Sequence, residues 1–423
     1  MIWDRSVETL ERSRLQSLQR TRLSWTLHWA RERVPFYADR LPDLDRWERH
    51  PQELLQELPF TVKGDLRDHY PLGLLAVPRQ EVRRFHASSG TRGKPTVVAY
   101  TEHDLTMWAE VVARSLAAAG MEPGQVLQNA YGYGLFTGGL GLHQGAERLG
   151  VSVIPASGGQ TDRQVQLIMD LKPDGLACTP SYALYIAETM QAMGIAPADT
   201  SLKTGIFGAE PWSDGMRERL EAALGIQAVD IYGLSEITGP GVAMECVEGK
   251  AGLHVFEDFF YVEVINPRTL LPVEPGEIGE LVLTTLSKEA MPMIRYRTGD
   301  LVSANPEPCV CGRTMTRISR VHGRSDDMLI VRGVNVFPSE IERVILSHAG
   351  ASGQYQLVWE GHPSRPDLVV EMEAVPGAEA PAGLREHLHA QLGVHLTVRI
   401  VEAGSVPRSQ GKAVRVVNRM TEQ

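Results

Sequence analysis

The sequence predicts an α/β protein with a large N-terminal domain, built from several subdomains with βα-unit sheets, and a small α+β C-terminal domain. The first observation is length, because 423 residues exceed one average domain. The second is the alternation of short apolar runs, helical stretches and glycine-rich turns from Arg83 to Asn305, which is typical of βα units. The third is a change in the pattern of apolar and charged residues after Arg324. We therefore expect one domain over residues 1–325 and a second over residues 326–423.

Residues 1–70 are expected to form a helical layer of the first domain. Arg- and Glu-rich segments alternate there with Leu and Trp, and Pro35, Pro42 and Pro51 interrupt them. This region has no catalytic signature. We interpret it as a layer for packing or dimer formation.

Apolar runs predict strands in both domains. In the first domain they are Thr96–Tyr100, Val151–Ile154, Tyr261–Ile265 and Glu280–Thr284, and residues 255–300 indicate hairpins. In the second domain the expected strands are Met328–Val331, Tyr355–Trp359 and Leu368–Glu373. Helices are expected to begin at Ser339 and at about Ala382.

Charge and composition exclude several classes of protein. A formal net charge of −10 argues against a general nucleic-acid surface, although a local basic groove for a phosphorylated ligand stays possible. The chain starts with charged residues, and no apolar run approaches membrane-spanning length. We therefore expect a cytoplasmic protein with neither a nucleic-acid nor a membrane partner.

The stretch His86–Thr96 predicts a phosphate-binding loop. Its glycines permit a backbone whose N–H groups surround an anion, and Lys94 adds positive charge. In the Walker pattern Gly-Lys-Ser/Thr leads into a helix, but here Pro95 follows the lysine, which disfavours a P-loop kinase. The alternative is an ordinary Gly/Ser-rich hairpin turn.

Four later motifs follow in the order of the chain. In Asp230–Glu236, Tyr232 could stack on a purine and Glu236 could hold Mg²⁺, or the motif is a strand end before a capped helix. In Ile294–Asp300 the final carboxylate could accept hydrogen bonds from ribose hydroxyls, or close a turn. Gly323–Gly333 is a hinge candidate. Lys412 in Ser409–Lys412 could reach another domain's cleft, or be a solvated lysine.

Taken together, the five motifs resemble those of the adenylate-forming superfamily of acyl-CoA synthetases, and within it the phenylacetate–coenzyme A ligase family. The stretches that carry the closer resemblance are Asn129–Gly141, Gly145–Gly150, Phe207–Trp212 and Arg332–Ser339. The resemblance extends over nearly the whole chain. It implies a homodimeric enzyme that uses ATP, Mg²⁺ and coenzyme A to activate an aryl acid. Phenylacetate is the first candidate for this acid.

The resemblance implies two steps and a role for each motif. The acid attacks the α-phosphate of ATP to give acyl-AMP and pyrophosphate, the small domain rotates, and the thiol of coenzyme A displaces AMP. Lys412 would neutralise charge at the α-phosphate and the carboxylate in the first step, which lowers the barrier between two anions. Glu236 would bind Mg²⁺, Asp300 the ribose with Arg324 nearby, and Asp326 would be the hinge. The implied phosphate residues are Ser88, Ser89, Gly90, Thr91 and Gly93, and the implied adenine residues are Gly208, Ala209, Glu210, Pro211, Asp230, Ile231 and Tyr232.

Two positions depart from the family pattern. Arg92 stands where a small hydroxyl residue is common. Ile330 stands where many acyl-CoA synthetases have a lysine after the hinge, so no contact with phosphate or coenzyme A is assigned to it.

The acid pocket implied by the resemblance is a slot for a flat ring. Its residues are Tyr131, Phe136, Thr137 and Gly138, with Ala209, Ile237 and Pro240 opposite. An apolar monocarboxylate fits such a slot, because no basic residue is available for a second carboxylate. Phenylacetate, benzoate, hydroxyphenylacetate and indoleacetate stay open, since one methylene in an apolar pocket changes binding by only ~1–3 kcal/mol. The alternative is that the aromatic stretch belongs to the core.

Four residues predict a structural zinc site of the Cys₃His type, namely Cys246, His254, Cys309 and Cys311. Gly312 permits a tight turn after the last cysteine, and some members of the resembled family have such a set. The alternative is three reduced cysteines and a surface histidine. Cys178 is interpreted as a core residue.

Two other functions compete with an acid–coenzyme A ligase. An adenylating enzyme that loads a carrier protein would share every ATP motif, and a test with free coenzyme A separates the two. A non-catalytic nucleotide-binding protein is the third possibility. The presence of Lys412, Glu236 and Asp300 argues against it.

Overall fold

The computed structural model describes residues 1–41, 55–88, 95–325, 327–332, 334–362, 365–375, 381 and 383–420. Five residues with an assigned role lie outside these ranges: Ser89, Gly90, Thr91, Gly93 and Asp326. Pro42, Pro51, Lys94 and Arg92 lie outside them as well, as does Gly333 in the fourth motif.

Among the described residues, four α-helices precede the first sheet: α1 (Arg5–Glu8), α2 (Arg12–Arg33), α3 (Pro35–Ala38) and α4 (Lys63–Asp68). The longest, α2, buries every fourth residue from Leu15 through Gln19 and Leu23 to Leu27, which is the spacing of one helix face. At the centre of this face the Gln19 amide donates to the Glu257 carbonyl at 2.9 Å. The helix therefore lies directly on the large domain.

The large domain contains a two-stranded hairpin and a nine-stranded sheet. The hairpin strands are β1 (Arg84–Ala87) and β2 (Val97–Tyr100). The other strands are β3 (Val126–Asn129), β4 (Ser152–Ile154), β5 (Gly175–Cys178), β6 (Thr204–Gly208), β7 (Gln227–Leu234), β8 (Gly239–Glu245), β9 (Leu253–Val255), β13 (Ala304–Asn305) and β14 (Arg317–Ile318). Their order is β13-β14-β9-β8-β7-β6-β5-β3-β4, and the five strands from β7 to β4 are parallel.

Helix α5 (Glu102–Ala118) leads from the hairpin to β3, and the parallel strands are connected by α6 (Thr137–Leu149), α7 (Thr161–Leu171), α8 (Pro180–Ala192) and α9 (Asp214–Leu224). Two short 3₁₀ helices lie at Arg79–Glu81 and Pro197–Asp199. Thr101 caps α5, since its hydroxyl accepts from the Asp104 N–H and the Asp104 carboxylate accepts from the Thr101 N–H. Parallel strands with helical crossovers bring the strands' carboxyl ends to one edge of the sheet.

A second, antiparallel sheet of four strands forms the predicted hairpin region. Its strands in spatial order are β10 (Phe260–Ile265), β11 (Gly279–Thr285), β12 (Tyr296–Val302) and β15 (Gly323–Arg324). Because β15 precedes the small domain in the chain, this sheet connects the two domains.

The small domain has its own sheet and its own apolar core. It begins with a hairpin, β16 (Leu329–Val331) and β17 (Val334–Val336), followed by α10 (Pro338–Leu346). Then come β18 (Ala351–His362), β19 (Arg365–Ala374), α11 (Leu384–Leu392), β20 (Thr397–Val401) and β21 (Val416–Asn418), with the sheet order β20-β19-β18-β21. The separate core contains Ile341, Leu357 and Leu388, each 0% exposed. The predicted fold class, α/β with a small α+β C-terminal domain, is confirmed.

Two glycines leave space for the buried ring of Trp108. A Cβ added at Gly141 or at Gly239 would lie 2.4 Å from the Trp108 ring, which is far inside van der Waals contact. The buried indole N–H of Trp108 donates to the Pro240 carbonyl at 2.9 Å. The start of β8 is thereby held against α5 and α6. Across the residues that the structure describes, no helix is both long and apolar enough to cross a membrane.

Candidate active site

The predicted phosphate loop connects β1 to β2. The two strands pair antiparallel, with Ala87 opposite Val97, and the Ser88 N–H donates to the Thr96 carbonyl at 3.0 Å. The two ends of the loop are therefore held together. The glycines at its tip lie outside the described residues.

The carboxyl ends of β5, β6 and β7 gather most of the residues that we assigned to adenine. Gly208 ends β6 beside β7, where a Cβ would lie 2.1 Å from the Ile231 carbonyl oxygen, so only glycine fits. Ala209 follows with a φ of +69°, in the left-handed region that side chains rarely adopt. Backbone held in this way at the edge of a parallel sheet is a common setting for a bound ligand.

Asp300 is the centre of a hydrogen-bonded group at this edge. The Tyr232 hydroxyl donates to Oδ2 at 2.7 Å, and the Arg324 guanidinium donates to Oδ1 at 2.9 Å. Burial, and then the neighbouring charge of Asp300, raises the pKa of Tyr232 well above its ordinary value. Tyr232 and Arg324 thereby fix the orientation of the Asp300 carboxylate at this edge.

Asp230 is held in an environment that favours its protonated form. Burial raises the pKa of Asp230 to about 7, and the charge of Glu245 acts in the same direction. Glu245 itself is paired with Arg217 at 2.6 Å, and its Oε2 accepts from the Asp230 N–H at 3.2 Å. Burial beside the Glu245–Arg217 pair therefore favours the protonated form of Asp230.

Glu236 is buried, and its carboxylate is paired with a residue that the sequence did not single out. Lys63, at the start of α4, has its Nζ 3.5 Å from Glu236 Oε1. The segment before α4 is held there because the Thr61 N–H donates to the Arg295 carbonyl at 3.0 Å, beside the third motif. The sequence of residues 1–70 has no catalytic signature, yet Lys63 from this region pairs with the Glu236 carboxylate.

Lys412 lies in the cleft between the two domains. Its Nζ is 5.5 Å from the centre of the Phe136 ring, a distance at which a cation is attracted to the ring face. The side chain keeps solvent contact along one side, but protein atoms crowd the rest of it. This partial desolvation lowers the pKa of Lys412, while the carboxylates of Glu236, Glu210 and Asp300 oppose the shift.

A cavity of about 260 Å³ joins the lysine to part of the predicted acid pocket. Tyr131 and Phe136 line it. Thr137, Gly138, Ile237 and Pro240 are not among its lining residues. The full lining is Ala130, Tyr131, Gly132, Phe136, Gly158, Thr179, Tyr182, Gln410, Gly411 and Lys412.

The other five predicted pocket residues, which include Ala209, do not line the cavity. A Cβ at Gly138 would lie 2.5 Å from the Phe136 ring, and the Thr137 hydroxyl is hydrogen-bonded to Ser235 at 3.1 Å. Ile237 is fully buried, and Pro240 accepts the Trp108 N–H. Tyr182 and Thr179 are lining residues that we had not predicted, although their place after β5 follows the rule that ligands bind at strand carboxyl ends. A larger hollow, about 660 Å³, lies on the outside of α7 and contains none of the motif residues.

Family models match both domains of the chain. The AMP-binding enzyme model matches residues 85–287, and the AMP-binding enzyme C-terminal domain model matches residues 333–420. The phenylacetate-coenzyme A ligase of Thermus thermophilus is 49% identical over 440 aligned residues that span 99% of each chain. That of Escherichia coli is 49% identical over 97% of this chain and 96% of its own.

The chain belongs to the phenylacetate–coenzyme A ligase family. Membership confirms the predicted superfamily and the predicted enzyme class, an ATP-dependent acid–thiol ligase that works through an acyl-adenylate.

A solved relative reveals which arrangement of the two domains this ligase adopts. A 2-hydroxyisobutyryl-CoA ligase in the postadenylation state superimposes with a TM-score of 0.92, at 28% identity, over 99% of this chain and 92% of that one. The same protein with coenzyme A in the thioesterification state reaches only 0.74 over the same coverage. The two domains of this ligase are therefore arranged as in the postadenylation state.

The four residues predicted to bind zinc lie together. The ligand atoms of Cys246, His254, Cys309 and Cys311 are all within 4.8 Å of one another. The hydrogen bond from Cys246, followed by that from His254, lowers the pKa of Cys311 and favours its thiolate. Arg313 supports the group, since its guanidinium lies 3.5 Å from Cys311 Sγ and 2.6 Å from Glu8. The first helix is thereby attached to the cysteine turn.

Lys288 is a second lysine of this ligase that sequence reasoning missed. It is 0% exposed, and its ammonium donates to the carbonyls of Ile237 at 2.6 Å and Glu236 at 3.3 Å. Burial lowers the pKa of Lys288 to about 8, while the charges of Asp104 and Glu236 oppose the shift. No motif marks this lysine, because its role depends on a loop 51 residues earlier in the chain.

The protonation of Asp230 can be tested through stability. Its pKa rises from 3.8 to about 7 on folding, so its contribution to stability is present below pH 4 and lost as the pH rises towards 7. We expect the unfolding free energy of Asp230→Asn minus that of the unmodified ligase to increase from pH 4 to pH 7. Urea unfolding at several pH values measures this difference. Asp170→Asn, at an exposed site on α7, is the control, and an equally flat profile for both variants would contradict the assignment.

Proposed function

We propose that this ligase converts phenylacetate, ATP and coenzyme A to phenylacetyl-CoA, AMP and pyrophosphate. One observation carries the proposal: Lys412 and the aromatic side chains of Phe136 and Tyr131 share one small cavity. A carboxylate held by the lysine would therefore have its ring against the aromatic wall. Four relatives named phenylacetate-coenzyme A ligase, at 48–49% identity, support this acid.

In the first half-reaction an oxygen of the acid carboxylate bonds to the α-phosphorus of ATP, and the bond to pyrophosphate breaks. Two anions must approach, and Lys412 supplies the positive charge between them. Asp300 accepts from the ribose hydroxyls, with Arg324 and Tyr232 fixing its orientation. The backbone around Gly208, together with the predicted residues Ala209 to Pro211 and Asp230 to Tyr232, borders the adenine.

Glu236 would hold Mg²⁺, which supplies charge neutralisation at the phosphates. The fit is supported by a buried carboxylate whose close cationic partner, Lys63, is itself partly exposed and 3.5 Å away. Ser88, together with Ser89, Gly90, Thr91 and Gly93, would receive the β- and γ-phosphates on the loop between β1 and β2.

In the second half-reaction the thiolate sulfur of coenzyme A bonds to the acyl carbon, and the carbon–oxygen bond to AMP breaks. The small domain would first rotate about the segment that contains Asp326 and withdraw Lys412. We place the domain boundary at residues 325 and 326, and the separate apolar core of the small domain supports it.

The acid is tested by a screen of pyrophosphate release. Phenylacetate is expected to give the highest kcat/KM, with benzoate, hydroxyphenylacetate and indoleacetate lower by about tenfold or more for each mismatch of size. Short aliphatic acids serve as controls. If another aryl acid has a higher kcat/KM, that acid is the substrate and phenylacetate is not. If an adenylate forms but free coenzyme A gives no thioester, the protein is a carrier-loading enzyme and not a coenzyme A ligase.

The role of Lys412 is tested by separating the half-reactions. Lys412→Ala should slow acid-dependent pyrophosphate release by about 100-fold or more, because a charge stabilising the transition state is lost. Thioester formation from added acyl-AMP and coenzyme A should change little. Lys203→Ala, at an exposed surface lysine, is the control. Unchanged pyrophosphate release in Lys412→Ala would refute the role.

We propose further that Cys246, His254, Cys309 and Cys311 hold a structural Zn²⁺. A tetrahedron with bonds of about 2.3 Å to sulfur has edges of about 3.8 Å. The Sγ atoms of Cys246 and Cys309 lie 3.7 Å apart, and Cys311 Sγ lies 3.6 Å from His254 Nε2, close to those edges. The metal would tie the end of β8 and β9 to the cysteine turn.

Metal analysis tests this site. Protein purified under reducing conditions without chelators is expected to contain about one zinc ion per chain. Cys309→Ser should lose the metal and melt at a lower temperature, whereas Cys178→Ser, outside the cluster, should keep it. Only trace zinc in the unmodified protein would remove the proposal.

We infer from the family resemblance that the ligase acts as a homodimer, and we keep the prediction of a cytoplasmic location. Sedimentation equilibrium distinguishes a dimer from a monomer, and a monomer at all concentrations would contradict the inference.

A further inference from the structure

The loop that carries Lys412 is attached to the large domain at three points. We define the lysine loop as residues 406–413. On one side of Lys412, the Gly411 carbonyl accepts from the Thr179 hydroxyl at 2.8 Å. On the other side, the Ala413 N–H donates to Glu210 Oε2 at 2.7 Å. The third contact lies earlier in the loop, at Arg408.

Arg408 is shared between the two domains. Its two Nη atoms bind both oxygens of Glu373 in the small domain at 2.8 Å each, which fixes the guanidinium plane. Its Nε donates to Glu188 Oε2 in the large domain at 2.9 Å. The arginine is therefore fixed within its own domain and presents its Nε–H to the other.

Glu188 belongs to none of the motifs. It lies in the third turn of α8, and its second oxygen accepts from Gln354 of the small domain at 3.0 Å. Both carboxylate oxygens thus bind the small domain. Glu188 is not a lining residue of the cavity that holds Lys412.

The same helix provides the attachments near Lys412. Thr179 caps α8, and the N–H of Ser181 in its first turn donates to Glu210 Oε1 at 2.8 Å. Glu210 therefore joins the start of α8 to the lysine loop through its two oxygens. The first turn of α8 is therefore linked through Glu210 to residue 413 of the lysine loop, and the third turn is linked to residue 408.

These contacts belong to one of two domain arrangements. The structure superimposes on the postadenylation state of its solved relative with a TM-score of 0.92, and on the thioesterification state with only 0.74. A rotation of the small domain towards the second arrangement would separate Arg408 and Gln354 from α8. The contacts of Glu188 would therefore stabilise only the arrangement with Lys412 in the cleft.

We propose that Glu188 is a positioning residue for adenylation, which captures the small domain through Arg408 and Gln354 and so brings Lys412 to the reacting groups. The proposal rests on the proposed role of Lys412. The carboxylate that holds the small domain in place is, on this proposal, distinct from the groups that contact the substrates.

The test compares the two half-reactions in Glu188→Ala. Pyrophosphate release in a single turnover is expected to be slower by about tenfold, the loss for truncating one partner of a partly buried interdomain ion pair. Thioester formation from added acyl-AMP should be unchanged or faster, because the competing arrangement is less populated. KM for ATP should change less than the adenylation rate constant. Glu188→Gln, which keeps an acceptor for Arg408, should recover part of the rate.

Two comparisons make the result decisive. Glu218→Ala removes an exposed carboxylate on α9 and should leave both half-reactions unchanged. In a double-mutant cycle, Arg408→Ala should cost much less in the Glu188→Ala background than in the unmodified ligase. Equal slowing of both half-reactions, or an unchanged adenylation rate in Glu188→Ala, would overturn the proposal. If Lys412→Ala also adenylates at the normal rate, the proposed role of the lysine is wrong. That outcome is distinct from a failure of the proposal for Glu188.

Discussion

The hydrogen-bonded group around Asp300 is the interaction on which the arrangement of the site depends. Tyr232 brings the end of β7 in the nine-stranded sheet, Asp300 lies on β12 of the four-stranded sheet, and Arg324 lies on the last strand before the small domain. One buried carboxylate therefore joins both sheets and the connection between the domains. If its charge were unpaired, burial would be costly, so these three elements are held in one geometry.

Around this group the protein controls charge by burial. Burial, and then the charge of Glu245 beside it, raises the pKa of Asp230 to about 7. Lys288 has a lowered pKa, yet its ammonium satisfies the carbonyls of Glu236 and Ile237. The charges of Glu236, Glu210 and Asp300 act on the ammonium of Lys412 and oppose the lowering of its pKa by burial. In the proposed mechanism, this positive charge on the small domain would be present for one half-reaction and withdrawn for the other.

The parts of the site that the sequence predicts are those encoded locally. Asp300 follows a glycine in one short motif, the cysteine pair is separated by one residue, and Lys412 follows a glycine loop. Lys63, Lys288 and Glu188 could not be found in this way, because each acts on a partner more than fifty residues away and lies in an ordinary helix or loop. The pocket was predicted only in part. Tyr131 and Phe136 line the cavity, whereas Thr137, Ile237 and Pro240 do not, a difference that periodicity does not reveal.

The character of the interdomain contact would allow the small domain to leave after the proposed adenylation step. Apart from Leu346, which packs into the large domain near Gly215, and Lys412 over the Phe136 ring, the interdomain contacts described above are hydrogen bonds and ion pairs. The pair between Arg408 and Glu188 is partly exposed, with 20% and 30% of the side chains accessible. Such contacts contribute only about 0.5–1.5 kcal/mol each, because water replaces them when they break. An apolar interface of equal area would hold Lys412 in the cleft and block the thiol, so a polar interface suits an enzyme that alternates between two reactions.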